Sequence, residues 1–365
     1  KMKILVLTSR YTATRDIIDE DFGRQTRLFS SLKKLGHDID FLCADYRKFE
    51  RRNLLLNGIN VMIRPFGFFY FLYFLRLFNK LLKTKDYDVV ISTSDPLWGV
   101  FGYYFTKKNN VNFIYDLHDN YESYGMYKIP FFWALDRHIT KNSPIITTVS
   151  NSLKKKISNY RKKNVFVIQN GFDETKFISL DKNKSRNEFG FLKGDKLIVY
   201  TGTLQKAQGI HILIKAFRIL QKDIPELKLV LAGRFFGKQR REIDIQHKGI
   251  IYLGSISQEK IPLLLNSADV LVVPNTRNNF SKYCFPYKVV EYMGCNVPIV
   301  ATDVGDVGDL LRSFQSSLCK SNNSLDMALK IKTQINEKKV KYRSYAMDNT
   351  WDKIAEDLNE VLTSI

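Results

Sequence analysis

Residues 285–302 read FPYKVVEYMGCNVPIVAT. Pro286 suits the first turn of a helix, where its missing amide is not needed. A small-residue turn and an apolar strand over 297–301 follow. Free amides at that helix start, with Lys288 one turn in, make a site for a phosphate group. Glu291, five residues after Pro286, is placed to reach a hydroxyl-rich group beside that phosphate. An ordinary αβ unit with a surface glutamate would use the same residues, so the surrounding chain has to decide.

That surrounding is two-part. The chain of 365 residues is too long for one ordinary core. Short apolar runs at 3–8, 38–43, 89–93, 113–115, 145–149 and 165–168 alternate with helical stretches, as in a buried parallel sheet. A second series runs through 197–201, 228–232, 250–253, 270–273 and 298–301. Between them, residues 173–195 are rich in Lys, Asn, Ser and Asp, which reads as a boundary. The fold class expected is therefore α/β, with two Rossmann-like domains facing a cleft. Their expected bounds are 1–172 and 196–345, joined by a linker over 173–195. Helical residues 346–365 are expected to cross back to the first domain.

The formal net charge is +20 with a pI near 9.6, so anionic surfaces should attract the chain. Residues 1–180 carry 29 basic against 17 acidic side chains, and the remainder 28 against 20. No helix-turn-helix, zinc-finger or RNP-like pattern accompanies this charge, so nucleic acid is not an expected partner. Cys43, Cys284, Cys295 and Cys319 are scattered without a CxxC pair, which favours a reducing compartment over a disulfide or zinc framework. Strand-like residues begin at position 3, and no signal peptide is expected.

The most apolar stretch, PFGFFYFLYFLRLFNKLLKTK at 65–85, has an uncharged run that stops at Arg76, short of the ~20 residues a bilayer span needs. Eleven of the thirteen residues 66–78 are aromatic or leucine, and Arg76, Lys80, Lys83 and Lys85 follow. Such a helix can lie in the headgroup region of a membrane. A buried core helix is the alternative, but aromatics on every side rather than in one stripe favour the membrane. Phe69, Tyr70, Tyr73, Phe74, Arg76 and Lys80 are the expected contacts, on an anionic membrane surface.

His118, in FIYDLHDNYES, directly follows a strand, where α/β folds place ligands. It can meet a ligand in that crevice, or be a structural histidine held by Asp116 or backbone. Two D-x-D strings, at 38–40 and 86–88, fall in or just before strands rather than at strand C-terminal ends. They read as solvated or capping residues, and no obligatory metal or other cofactor is expected.

Taken in order, these fragments resemble the retaining, family 4 type glycosyltransferases, the group 1 glycosyl transferases. Gly171 and Asp173 in VIQNGFDETKF look like that family's N-G-x-D element, and ITTVSNSL at 146–153 resembles the segment before it. Gly202, Leu204 and Gly209 in YTGTLQKAQGIHILIKAF match its opening strand–turn–helix. LAGR at 231–234, YLGSIS at 252–257 and ADVLVVP at 268–274 lead in order to the Glu291 motif.

The resemblance implies a GT-B fold and transfer of a sugar with retention of configuration. It places a UDP- or GDP-sugar on the second domain, with Glu291 at the ribose and the amides near Phe285, Pro286, Tyr287 and Lys288, with the Gly202 turn, at the diphosphate. His118 and Glu291 are the expected catalytic residues, with Arg24 and Asp119 on the acceptor side, in the first domain. Front-face displacement, in which the leaving phosphate takes the acceptor's proton, is the implied course. Departures concern cations: Thr203 and Gln208 stand where an arginine and a lysine are common, and Tyr283 replaces a glutamate eight residues before Glu291. Lys206, Arg234, Lys282 and Lys288 are the substitutes available. With the aromatic stretch, the acceptor is expected to be a lipid-linked glycan or glycolipid at the cytoplasmic face of the cell membrane, with the protein peripheral there. A nucleotide-sugar 2-epimerase of the same fold, or an inactive sugar-nucleotide-binding relative, are the alternatives.

Overall fold

The apolar runs become the strands of two separate parallel sheets. The computed structural model describes residues 1–12, 15–235, 237–337 and 340–365. It divides into two units, Lys1–Gly171 with Trp351–Ile365, and Phe172–Thr350.

In the first unit the elements run β1 (Lys3–Ser9), α1 (Arg24–Lys34), β2 (Asp38–Asp45), β3 (Arg52–Leu56), β4 (Ile59–Pro65), α2 (Phe71–Thr84) and β5 (Val89–Ser92). They continue as α3 (Pro96–Asn109), β6 (Asn112–Leu117), α4 (Phe132–Asn142), β7 (Ile145–Thr148), α5 (Asn151–Ser158) and β8 (Val165–Val167). Strand order is β8-β7-β6-β5-β1-β2-β4-β3, parallel except for β3 on β4. Ile4, Leu5, Val6 and Leu7 are fully buried, as expected for strands covered on both faces. After β4 the chain crosses back through α2 to the other side of β1. The order therefore reverses between β1 and β5, the switch point where such sheets bind ligands. Asp95 caps α3 by accepting the Leu97 amide at 2.9 Å, and Pro96 opens the helix without needing a donor.

α2 corrects the reading of the aromatic stretch. It begins at Phe71, after a 3-10 turn over Phe68–Tyr70. Phe74, Phe78, Leu81 and Leu82 form a buried stripe at helical spacing, so Phe74 belongs to the core rather than to any membrane contact. Exposure concentrates instead at the helix entrance, where Phe68 and Phe69 are 92% and 91% exposed. Tyr70, Leu72, Tyr73, Arg76 and Lys80 are exposed beside them.

The second unit contains α6 (Lys182–Glu188), β9 (Lys196–Thr201), α7 (Ile210–Gln221), β10 (Leu227–Ala232), β11 (Ile250–Gly254), α8 (Ile261–Ser267) and β12 (Val270–Val273). It ends with α9 (Tyr287–Cys295), β13 (Ile299–Thr302), β14 (Leu318–Cys319) and α10 (Ser324–Ile335). The sheet order is β11-β10-β9-β12-β13-β14, all parallel, reversing between β9 and β12. Residues 173–195 do not form a free linker. Arg186 of α6 is buried and donates to Ser267 O (3.0 Å), Lys193 O (2.7 Å) and Asp269 Oδ2 (2.8 Å). Asn266 accepts the Leu180 amide at 2.8 Å. Asp195 is buried too, paired with Lys228 at 2.7 Å. Most of the segment's remaining charges are exposed, which gave it the composition of a loop.

The C-terminal helix α11 (Trp351–Thr363) lies in the first unit against α1. Lys34 Nζ reaches Asp352 at 2.9 Å, and His37 Nε2 lies 2.8 Å from Asn359 Oδ1. The return begins at Trp351 rather than at residue 346. Tyr342 stays with the second unit, 2.6 Å from Ser317 Oγ. No helix among the described residues is long and apolar enough to cross a membrane.

Candidate active site

In the second unit, the two loops singled out by sequence both leave strands at the switch point. The Gly202 turn follows β9, and residues 274–286 follow β12. α9 starts at Tyr287 with Pro286 as its N-cap, a residue whose ring makes no cap hydrogen bond. Val289, Val290, Tyr292 and Met293 are buried, leaving Lys288 and Glu291 together on the outer face, three residues apart and both half-buried. Tyr292 fastens the helix to β9, its hydroxyl accepting the Thr201 amide at 3.0 Å.

Lys288 is the convergence point. Its Nζ donates to Tyr200 Oη at 3.0 Å and to Gln208 Oε1 at 3.4 Å, and it lies 4.3 Å from the Tyr200 ring centroid. Gly202 has φ +127°, and a Cβ there would stand 3.0 Å from Lys288 Nζ. The glycine thus leaves room for the ammonium against the turn. Gly209 (φ +78°) is required more strictly, since a Cβ would lie 1.7 Å from Pro274 O. That contact presses the loops after β9 and β12 together. Desolvation pushes the Lys288 ammonium down to about 8, with Glu291 pulling the other way. A buried amine held this loosely gains most from an anion placed beside it.

The other expected cations are less equal than the sequence implies. Lys206 is paired with Glu242 at 2.8 Å, so its charge is already answered. Arg234 is exposed and follows β10; its carbonyl accepts the Leu204 amide at 2.8 Å, which places it beside the Gly202 turn. Its guanidinium has no partner among the described residues. Lys282 is exposed, 5.2 Å from the centroid of the Tyr283 ring. Thr203 is exposed, whereas the Phe285 side chain is buried, leaving that residue only its backbone to offer. Gln208 orients Lys288 by accepting from it.

In the first unit the switch point is tied by Ser94, whose Oγ accepts the Ser9 amide at 2.8 Å and lies 3.0 Å from Thr8 Oγ1. The Ser94 amide donates to His118 Nδ1 at 3.1 Å. An amide can only donate, so Nδ1 is the acceptor and the ring proton sits on Nε2. Nε2 has no partner among the described residues, which makes it a donor for a bound group. Desolvation pushes His118 down to about 4, against the raising effect of Asp116. The ring is therefore neutral at ordinary pH. Asp119 is raised to about 6 by desolvation, although the Asn120 amide (2.7 Å) and Tyr124 hydroxyl (3.2 Å) both donate to it.

Arg24 does not stand where the sequence reading put it. It is buried, and its guanidinium holds Asp116 through two bonds at 3.0 and 3.2 Å, with a third to Gln169 O at 2.8 Å. Asp116 also accepts from Thr93 (2.8 Å) and Thr147 (2.7 Å). Burial works to raise this carboxyl, and the guanidinium overrides it, leaving Asp116 below the ordinary range. Arg24 thus positions the strand end carrying His118 instead of facing an acceptor. Of the two D-x-D strings, Asp40 is buried rather than solvated, accepting from Tyr87 Oη at 2.6 Å and Asn60 at 2.9 Å. Tyr200, Tyr292, Thr93 and Ser94 were missed; their partners are set by the sheet, and no local motif marks them.

A parallel sheet whose switch point gathers Lys288, the Gly202 turn and the start of α9 in the second unit, and a second Rossmann-like unit bearing the His118 loop, point to a class. The family described as glycosyl transferases group 1 matches residues 181–362, and glycosyltransferase family 4 matches 26–176. The chain belongs to the group 1 glycosyltransferases, with the GT-B fold. An uncharacterized glycosyltransferase of Methanocaldococcus jannaschii is 27% identical over 312 residues, 78% of this chain and 77% of that protein. The capsular polysaccharide biosynthesis glycosyltransferase CapM of Staphylococcus aureus is 27% identical over 235 residues, 60% of this chain and 57% of that one. Among solved structures, Anabaena HepE in complex with UDP superposes with a TM-score of 0.78 at 18% identity, over 100% of both chains. Sucrose-phosphate synthase from Thermosynechococcus elongatus gives 0.79 at 16%, covering 100% of this chain and 99% of that one.

Proposed function

We propose that this glycosyltransferase moves a hexose or N-acetylhexosamine from a UDP- or GDP-sugar, with retention, to a hydroxyl of a lipid-linked glycan or glycolipid. The observation that carries the reading is Lys288, half-buried and held at the Gly202 turn beside the start of α9. A diphosphate there meets an ammonium, helix-start amides and the adjacent Arg234. These groups answer its charge without an obligatory metal. Glu291, on the same helix face, accepts from the ribose hydroxyls. That HepE of Anabaena was crystallised with UDP-glucose supports a nucleotide-sugar donor of this kind. His118 donates from Nε2 to the transferred sugar, and Asp119 accepts from the acceptor. The acceptor oxygen bonds to the anomeric carbon as the bond to phosphate breaks, and the acceptor's proton passes to the leaving phosphate oxygen. Retention follows from attack on the face the phosphate leaves. The product's anomeric configuration, read by NMR, tests it: the donor's configuration is expected, and an inverted linkage would overturn the proposal.

The pH profile separates the two first-unit residues. With Asp119 near 6 and His118 near 4, kcat/KM is expected to fall below about pH 6 as Asp119 gains a proton and loses its acceptor function. Asp119→Asn should remove that limb. His118→Ala should instead lower the rate about 10²-fold at every pH. A limb that survives in Asp119→Asn would deny the residue this role.

The lipid acceptor is supported by the exposed entrance of α2. Apolar burial of Phe69, Tyr70 and Tyr73 combines with attraction of Arg76 and Lys80 to anionic lipid, about 1 kcal/mol per basic residue near the surface. Peripheral attachment at the inner face of the cell membrane is part of this reading. Changing the three aromatics to serine should lower sedimentation with anionic liposomes at least about 10-fold, and Phe69→Ser alone, at a ring 91% exposed, should leave Tm unchanged. A folded variant that pellets like wild type would remove the support for a lipid acceptor.

A further inference from the structure

Exposed apolar side chains of the first unit are not confined to the entrance of α2. At the start of α4, Phe131 is 80% exposed, Trp133 54% and Ile129 48%. Phe132 between them is buried, edge-on to Tyr127 at 5.9 Å between ring centroids. It fixes the turn while its two neighbours face outward. Phe131 also has φ +62° and ψ −6°, the left-handed region, and provides no side-chain cap for α4. A phenylalanine there costs about 1–2 kcal/mol in backbone strain. Both the strain and the exposed ring lack any return within the fold.

Topology places this patch beside the first one. Phe66 and Phe71, at the start of α2, meet Phe101 of α3 at 6.5 and 5.7 Å, and Tyr103 of α3 meets His138 of α4 at 6.3 Å. The three helices therefore form one layer with α3 in the middle. Each runs from the C-terminal end of one strand back to the N-terminal end of the next. The starts of α2 and α4 thus lie at the same end of the layer, about two helix spacings or roughly 20 Å apart. The loop carrying His118 leaves β6 at that end.

The charge around both patches is mainly positive. Residues 66–85 contain no Asp or Glu, and 123–143 contain one besides Lys128, Arg137 and Lys141. That one, Asp136, is buried and accepts from Tyr115 Oη at 2.7 Å and from Tyr127 Oη. Glu122, just before the second window, is exposed and paired with Lys156. Aromatic rings with exposed cations and no exposed carboxylate outside an ion pair match an anionic bilayer surface. A second copy of the chain would bring like charges together.

We propose that residues 129–133 are a second lipid anchor, so that the first unit docks on an anionic bilayer through two aromatic points flanking the start of α3. This rests on the membrane reading of α2 and extends it. One anchor leaves the unit free to pivot, whereas two some 20 Å apart fix its tilt, with the His118 end turned to the lipid.

Trp133 provides its own probe. The chain has three tryptophans, and Trp98 and Trp351 are only 2% and 7% exposed. Vesicles of phosphatidylcholine and phosphatidylglycerol should shift the emission to the blue, and brominated acyl chains should quench it. Phe131→Gly with Trp133→Ser should weaken partitioning roughly 10–100-fold, the effect of two lost apolar side chains. Phe131→Gly alone suits the left-handed backbone, so Tm should hold or rise, which separates lost docking from lost folding. If wild type does not pellet with vesicles, both membrane readings fall. If it pellets with Trp133 unshifted and the double variant binds equally, the second anchor is refuted while α2 stands. Blue emission before lipid is added, with a mass of two chains in solution, would assign the patch to self-association and overturn the proposal.

Discussion

Lys288→Met is expected to lower kcat/KM for the nucleotide-sugar by about 10²–10³-fold and, at pH 7, to raise Tm. The loss follows from the proposed role, because a preorganised charge beside a leaving phosphate contributes about 2.7–4 kcal/mol to the transition state. The gain follows from desolvation. The ammonium sits on the Tyr200 ring with, among the described residues, only Tyr200 and Gln208 accepting from it, and its affinity for a proton falls to about 8. The folded state thus binds this proton less tightly than the unfolded chain, whose lysine titrates near 10.4. Wild-type stability from this residue rises as pH increases from about 8 to about 10.4, so the Tm advantage of the variant should close over that window. Each kcal/mol relieved corresponds to roughly 2–4 °C. A variant that loses both activity and stability at pH 7 would indicate a structural lysine.

Arg24→Met should cost about 3–5 kcal/mol, because it leaves Asp116 buried and charged with only two threonine hydroxyls to hold it. That is a fall in Tm of roughly 10 °C. Here the sign of the pH effect is the reverse of the lysine case. Asp116 is held below its ordinary pKa in the folded state, so its stability is present above about pH 4 and is lost as pH falls through the folded value. The gap between wild type and Arg24→Met should therefore narrow in acid. Adding Asp116→Leu should recover part of the loss. A deficit below about 1 kcal/mol, independent of pH, would show that Arg24 does not carry this charge.

What the sequence made legible was local. The helix bearing Lys288 and Glu291, the turn at Gly202 and the strand series were all readable, because each depends on residues within a few positions. What escaped depends on partners brought in by the sheet. Arg24 near the start of a helix looks like an acceptor contact until Asp116, 92 positions on, closes over it. Lys206 counts as a free cation until Glu242 meets it. Residues 173–195 look like a linker by composition; Arg186, buried against the ends of α8 and β12, and Asp195, buried and paired with Lys228, show that they fold inward. In α2 the core stripe of Phe74, Phe78, Leu81 and Leu82 was hidden because its outer neighbours are equally aromatic. The outward rings of Phe131 and Trp133 were hidden for the opposite reason, standing singly in a short segment with no periodicity to mark them.

The central claim is that the second unit holds a nucleotide-sugar through Lys288, Glu291 and the start of α9. A thermal-shift titration of UDP-, GDP- and ADP-sugars against wild type and Glu291→Ala tests it most directly. One nucleotide should raise Tm saturably, with about 2.7 kcal/mol of stabilisation at a concentration 100 times its Kd. Glu291→Ala should weaken that response about 10-fold or more, measured from its own unliganded Tm, as expected for losing a charged acceptor at the ribose. A flat wild-type response to every nucleotide-sugar, or an equal response in Glu291→Ala, would contradict the account.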